Sequence, residues 1–452
     1  MDSTTLQRRL AALAERYGVV GASVALAVGD ETTLAATGVL NLRTGAPAST
    51  ESVFQIGSIT KVWTATLVMQ LVDEALLDLD TPLLSYLPDF RVRDEEITAG
   101  VTARHLLNHT SGIAGDFFAD TGRGDDAIAR YVARLPDLPV SYPLGATTSY
   151  CNAGFVLLGR LVEVLRGQTW DTVLRERLFA PLGLSAAGTL PEEALLRGAA
   201  VGHFGTEVAP QWGLPRAIGP AGLIHARATD LLDFARMHLA DGVGTGGERV
   251  LSARSAQLMR EPHAAVIEAR PTGAHFGFGW MLNDWGRPVF GHDGQTLGQS
   301  AYLQIVPGPV PVSIALLTNS NDSAPLFQHL VRELLAEHTD VAAPPPLEPP
   351  PGPVLRGSAD IVGDYERALM GFEVRDRAGE LVLIARPSGV LAASLGTDRI
   401  ESRLVPFAGD AYLTQIPGRP GWLPVVFYRL ADGTGYLQVA DQAAARAPRP
   451  TA

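Results

Sequence analysis

Gly57-Ser58-Ile59-Thr60-Lys61-Val62-Trp63-Thr64-Ala65-Thr66-Leu67-Val68-Met69-Gln70-Leu71-Val72 is the stretch from which the rest of the chain is read. From Val62 to Leu77 the run is apolar on nearly every face, which marks a helix buried in the middle of a domain. Ser58 stands where an irregular segment gives way to that helix. A helix N-terminus leaves backbone N–H groups free and favours negative charge. Residues three apart share a helix face, so Ser58 and Lys61 point into the same space. Lys61 enters among Val62, Leu67, Val68 and Leu71. An ammonium so placed is partly desolvated, which lowers its pKa and suits it to take a proton. The plain alternative is a serine cap with a solvent-exposed lysine behind it, and Ser-x-x-Lys alone does not decide between them.

Outward from this helix, apolar spacing predicts helices over 5–17, 103–107, 153–165, 170–178, 229–239 and 324–337. Strands are expected over 22–28, 33–38, 276–282, 287–291, 300–306 and 312–318. Two strands, a long helical middle and then further strands describe an α+β domain whose sheet joins the two ends of the segment. The clearest boundary is Ala342 to Pro353, AAPPPLEPPPGP, where proline fixes φ and removes donors. It should be an extended connector. We therefore expect a first domain over 1–341, a connector over 342–353, a second domain over 354–446 and a tail over 447–452. The second domain shows short strands at 372–375, 381–385, 411–416, 425–430 and 435–439, with turns at Arg419-Pro420-Gly421 and Asp432-Gly433. That pattern suggests a small antiparallel barrel or sandwich.

Two further features carry chemistry. Tyr150-Cys151-Asn152 ends a turn-rich loop just before a predicted helix, where Asn152 could equally cap and Tyr150 pack. Gly291-His292-Asp293-Gly294 falls at the end of one predicted strand. Together with Ser58-Ile59-Thr60-Lys61, these come in the order of the serine β-lactamase and penicillin-binding-protein superfamily, which the chain resembles over residues 5 to 337. Ser58 and Lys61 match its S-x-x-K, and Tyr150-Cys151-Asn152 the Y-x-N of its class C-like branch. His292-Asp293-Gly294 takes the place of K-T-G. Leu106-Leu107-Asn108-His109-Thr110-Ser111-Gly112, Pro181-Leu182-Gly183-Leu184, Gly219-Pro220-Ala221-Gly222-Leu223 and Ala228-Thr229-Asp230-Leu231 fit the same branch. The second domain looks like the lipocalin-like β domains that some members carry.

The resemblance implies a β-lactamase/transpeptidase-like domain, an antiparallel sheet with a helical subdomain, followed by a small β-barrel. It implies an acyl-Ser58 intermediate. Lys61 and Tyr150 share the base role, with the phenol pKa expected to fall beside an ammonium. Asn152 would orient Lys61 and a substrate amide. The backbone N–H groups of Ser58 and of Gln295, just beyond His292 and Gly294, would form the oxyanion hole. Lactamases proper carry lysine where this chain has His292. An imidazole with a pKa near 6.5 offers little fixed charge at neutral pH and more towards pH 6. This favours ester, D-peptide and amide substrates over β-lactams, with Arg216 as a possible substitute cation. Transfer of the acyl group to an amine or alcohol, as in acyltransferases and peptide-cyclising thioesterases, is the second reading. A catalytically silent binding or scaffolding protein is the third.

Composition narrows the rest. The 452 residues are 46% apolar and 19% charged, a globular balance with more material than one core needs. A net charge of −12 disfavours nucleic acid as partner. The single cysteine, Cys151, cannot form an internal disulfide and reads as a small packed hydrophobe. No H-E-x-x-H or paired Cys/His spacing appears, so neither metal nor cofactor is expected. Gly244-Thr245-Gly246-Gly247 lacks the lysine of a phosphate loop. His105 and His109 read as structural. A start at Met-Asp-Ser-Thr-Thr without a basic and then apolar segment, and the lack of a long apolar run, lead us to expect a cytoplasmic protein without a membrane span. The expected partner is a small-molecule or peptide ester or amide, and the sequence leaves the oligomeric state open.

Overall fold

The computed structural model describes residues 1–270, 273–351, 359–389, 392, 397–417 and 421–448. The expected turn at Arg419-Pro420, the connector's end at Gly352-Pro353 and the last residues of the tail lie outside them. Helix α1 (Ser3–Tyr17) opens on Asp2, whose carboxylate accepts the Thr5 N–H at 2.8 Å, and stops at Gly18 with φ +65°. Strands β1 (Gly21–Val28) and β2 (Glu31–Asn41) follow as a hairpin. The helical middle holds α2 (Thr60–Asp73) and α3 (Asn152–Arg166), and after it come β3 (Pro288–Gln295), β4 (Ser300–Val306), β5 (Val312–Thr318) and helix α4 (Ala324–His338).

One nine-stranded antiparallel sheet takes the order Ala46–Pro47, β2, β1, β5, β4, β3, Met281–Asp284, His275–Phe276 and Ala264–Ala265. The chain's two ends thus meet where β1 pairs β5, Leu26 opposite Ile314. Every residue of β4 and β5 is buried, so both faces of the sheet are covered. On one face α1 and α4 pack Leu6, Leu10, Leu330 and Leu334 against Val24, Ile314 and Leu316. On the other lies the helical part. Its centre is α2 (Thr60–Asp73), buried on every residue from Thr60 to Leu71. Trp63 of this helix stacks on Phe234 with ring centroids 3.8 Å apart. Each buried aliphatic side chain here contributes about 1.5–3 kcal/mol relative to exposure. That makes α2 the fixed post on which a site can be built.

The C-terminal part is a second nine-stranded antiparallel sheet, curled into a nearly closed barrel around Tyr365, Phe372, Leu413, Val425, Phe427 and Leu437. Its first strand, Gly363–Arg367, pairs with its last, β7 (Gln442–Arg446), which forms a hairpin with β6 (Gly435–Val439).

Four sequence expectations need correction. The helix expected from Val62 to Leu77 ends at Asp73. The strand expected over 276–282 is two short strands, His275–Phe276 and Met281–Asp284, separated by a segment containing Gly279 at φ +78°. The strand expected to end at Gly291 runs on to Gln295, paired with β4 throughout, so the Gly-His-Asp-Gly motif lies inside a strand. The helix over 170–178 is α-helical only over Trp170–Leu174 and widens into a π-helical turn over Arg175–Phe179. Among the described residues no helix is long and apolar enough to cross a membrane.

Candidate active site

Ser58 lies in a single 3-10 turn, Gly57–Ile59, that runs directly into α2, and its side chain is partly exposed. Lys61, one turn on, is fully buried. Its Nζ donates to Ser58 Oγ at 2.9 Å and to the Ala221 carbonyl at 2.8 Å. Ala221 belongs to the Gly219–Gly222 turn. Thr64 Oγ1 binds that turn by donating to the Pro220 carbonyl at 2.7 Å, while Thr60 Oγ1 accepts the Ile224 N–H at 3.2 Å. Burial pushes the Lys61 pKa down to about 7, and the neighbouring Cys151 and Asp116 offset only part of that. At neutral pH a large share of Lys61 is therefore a free amine against the serine hydroxyl.

Tyr150 is delivered by the loop that precedes α3 (Asn152–Arg166). Its ring lies 4.7 Å from Lys61 Nζ, so the ammonium faces the ring rather than the hydroxyl. The ring also stacks on His109, with centroids 4.5 Å apart. His109 has φ +63°, and its Nδ1 accepts the Cys151 N–H at 3.0 Å, which fixes both the imidazole and the start of the Tyr-x-Asn segment. The expectation that the phenol pKa falls is not met. Burial drives it well above 10, outweighing its hydrogen bond with Ser58. Tyr150 is a proton holder, and the low-pKa member of the pair is Lys61.

His292 is buried on β3 and makes two contacts. Nδ1 lies 2.6 Å from the Asp293 carbonyl, which can only accept, so Nδ1 carries the proton. Nε2 is then the acceptor for the Tyr150 hydroxyl at 3.4 Å. Burial, and then the Lys61 charge, push the His292 pKa down to about 3. The imidazole is neutral as expected, but the further expectation of a gain in charge towards pH 6 is not supported. Arg216 does not replace the missing cation. It is held by Asp125 at 2.9 Å and Asp171 at 3.1 Å.

The two backbone donors named from the sequence meet at one junction. Gly57 has φ +51°, and a Cβ there would lie 2.6 Å from the Gln295 nitrogen. A Cβ on Gly294 would lie 1.9 Å from the Ile56 carbonyl oxygen and 2.9 Å from the Ser58 nitrogen. Only glycine at both positions lets the serine turn and β3 approach backbone to backbone.

Asn152 differs from its expected role. Its amide donates to Asp116 Oδ1 at 3.2 Å, whereas the Lys61 hydrogen bonds run to Ser58 and Ala221. The cap of α3 is Cys151, whose sulfur accepts the Gly154 N–H at 3.2 Å. Burial raises that thiol to about 11, which leaves it unreactive at neutral pH. A cavity of about 400 Å³ beside β3 is lined by His292, Asp293, Tyr302, Phe327, Trp285 and Asp441. Among the described residues no three His, Cys, Asp or Glu side chains converge as a metal site requires. Sequence reasoning set His109 aside as structural and missed Asp116; the Leu-Leu-Asn-His-Thr-Ser-Gly run was the available signal for the first.

The β-lactamase family model matches residues 6–338, and the chain belongs to that family of serine hydrolases, which holds esterases, D-amino acid amidases and penicillin-binding proteins. It is 48% identical to Penicillin-binding protein 4 of Amycolatopsis lactamdurans over 376 residues, 81% of this chain and 98% of the relative. The crystal structure of SurE with D-Leu superimposes with a TM-score of 0.77 at 27% identity, covering 98% of this chain and 99% of that one. D-amino acid amidase from Ochrobactrum anthropi SV3, complexed with L-phenylalanine, gives 0.58 at 26% identity, covering 70% and 91%.

Proposed function

We propose that this protein is an acyl-serine enzyme that opens esters and amides of small or peptidic acyl groups, with D-configured aminoacyl groups among its preferred donors. The observation that carries the reading is the buried Lys61 amine at 2.9 Å from the Ser58 hydroxyl. Neutral Lys61 takes the Ser58 proton as the oxygen attacks the carbonyl carbon. The oxyanion is received by the N–H groups of Ser58 and Gln295. Tyr150 gives its proton to the departing amine or alcohol, and the Lys61 ammonium passes the proton taken from Ser58 to the Tyr150 phenolate, so both side chains regain their starting states. Water, or an acceptor amine, then releases the acyl group from Ser58 by the reverse sequence. The D-configuration is supported by two relatives, one solved with D-Leu and one named for D-amino acid amides.

Tyr150→Phe removes one hydroxyl that is 3.4 Å from His292, so the fold should persist. Single-turnover acylation should slow by about 10²-fold, the lower end of general acid–base assistance. Unchanged acylation would assign the leaving-group proton to another donor.

The substrate reading is tested by intact-mass measurement with p-nitrophenyl butyrate, D- and L-phenylalanine p-nitrophenyl esters and benzylpenicillin, with and without an added amine. We expect an adduct on Ser58 with the D-ester ahead of the L-ester. Benzylpenicillin should trail the butyrate in kcat/KM by about tenfold or more, because His292 is neutral, spends its one N–H on the Asp293 carbonyl, and leaves the carboxylate without the charged donor that lysine supplies. Penicillin turnover equal to that of the butyrate would overturn the substrate reading. An amide product in the presence of the amine would establish transfer over hydrolysis.

A further inference from the structure

The barrel reaches the catalytic loop through the turn between β6 and β7. Ala440 and Asp441 at its tip have φ +51° and +58°, as a tight two-residue hairpin requires. The Asp441 carbonyl accepts the Tyr150 N–H at 2.8 Å, and Gln442 Nε2 donates to the Tyr150 carbonyl at 3.4 Å. One residue on, the Ala443 N–H donates to Ser149 Oγ at 3.0 Å. Both backbone polar groups of the site tyrosine are therefore satisfied by the barrel.

Beside this latch stands Arg367, the last residue of the barrel strand Gly363–Arg367. It shares a cavity of about 10 Å³ with Asp116, Gly115, Ser141, Ser149 and Gln442, the size of a single water. Its guanidinium donates to the Val439 carbonyl at 3.4 Å, while its buried Nε has no hydrogen-bond partner. Asp116, across the cavity, accepts the Asn152 amide. A cation brought in by one part of the chain faces a carboxylate that holds a site residue of the other.

We propose that Arg367 is a positioning residue of the active site: it faces Asp116 across the cavity, keeps that carboxylate turned to Asn152, and balances its charge beside Lys61. The proposal rests on the reading of Lys61 as base. The charge of Asp116 raises the pKa of Lys61 and is itself felt by Arg367. The other titratable groups around Lys61 are Cys151 and Tyr150 from the loop, His109 beneath the tyrosine ring and His292 on β3. Removing the guanidinium leaves Asp116 uncompensated, so Lys61 should hold its proton to higher pH.

The test is the pH dependence of kcat and KM for p-nitrophenyl butyrate, measured on the full chain. Arg367→Met should lower kcat by up to about 10²-fold, as misplacement from outside the reacting groups does, with a smaller change in KM. It should also move the acid limb of kcat/KM to higher pH, and Arg367→Lys should restore most of both. Asp116→Asn placed on Arg367→Met should bring the limb back to or below its wild-type position. If Arg367→Met leaves limb and kcat unchanged, the proposal fails. If activity falls while the limb stays in place in both the single and double variants, Arg367 serves only the barrel's stability and the proposal also fails. A wild-type profile with no limb near pH 7 counts against Lys61 as base; restoration of kcat by Arg367→Lys then still decides the positioning role.

Discussion

Ser58→Ala is expected to abolish covalent labelling by a fluorophosphonate and to lower turnover of an acyl ester by on the order of 10⁶-fold, as removal of a serine nucleophile does elsewhere. The variant should fold. Ser58 is partly exposed, and Lys61 keeps its bond to the Ala221 carbonyl. Losing the hydrogen bonds of the Ser58 hydroxyl with Lys61 and Tyr150 costs about 1 kcal/mol each. The size of the kinetic loss follows from the lack of a substitute. Cys151 is buried with its thiol raised to about 11 and spends its sulfur on capping α3. Tyr150 stays protonated and donates towards His292. Stoichiometric labelling of a folded Ser58→Ala protein would show that the acyl group is carried elsewhere and would remove the basis of the proposed function.

What the sequence made legible was the part written in contiguous residues. The run from Val62 to Leu77 is apolar enough to declare a central helix, though the helix stops at Asp73, and Ser58 and Lys61 take their relation from helical spacing alone. Strands β4 and β5 are largely apolar segments and were readable to the residue. Legibility ended where structure depends on segments far apart in the chain. Gly291-His292-Asp293-Gly294 looks like a turn because two glycines interrupt the apolar pattern. It is strand because β4 supplies its partners and the serine turn needs the bare glycine at 294. The Gln442–Arg446 strand is alanine-rich and carries no β signal of its own; pairing on both sides makes it a strand. The charge states were legible where the sequence itself displays the burial. For Lys61 the apolar run around it implies the desolvation that lowers its pKa, and the opposing charges of Cys151 and Asp116 offset only part of it. For Tyr150 the neighbouring ammonium predicted a fall, but that ammonium faces the ring, and burial, which the sequence does not display, reverses the sign. The meeting of Asp116 with Arg367 has no local signature at all.

Lys61→Met should slow acylation by about 10²–10⁴-fold, the range of a lost general base. Its more telling consequence is in the pH profile. The free amine is the active form, and its pKa lies at about 7. In the wild type, kcat/KM should therefore fall about tenfold per pH unit below that point and level off above pH 8. In Lys61→Met that limb should vanish while a low residual rate persists. Lys61→Arg separates charge from basicity: a guanidinium keeps the positive charge but does not give up its proton in this range, so it should be as slow as the methionine variant. An arginine variant that retained wild-type acylation would make Lys61 an electrostatic anchor and pass the base role to Tyr150. Stability gives an independent reading with the opposite sign. The folded pKa of Lys61 lies below its unfolded value, so above about pH 7 the unfolded chain binds the extra proton and the burial penalty shrinks as pH rises towards 10.5. At pH 6 the lysine is charged in both states and that penalty is at its full size. Methionine removes it, against the smaller cost of an Ala221 carbonyl left without its donor. Lys61→Met should therefore melt no lower than the wild type at pH 6, and its advantage should decline as the pH is raised, so that the substitution that most damages the chemistry spares the fold.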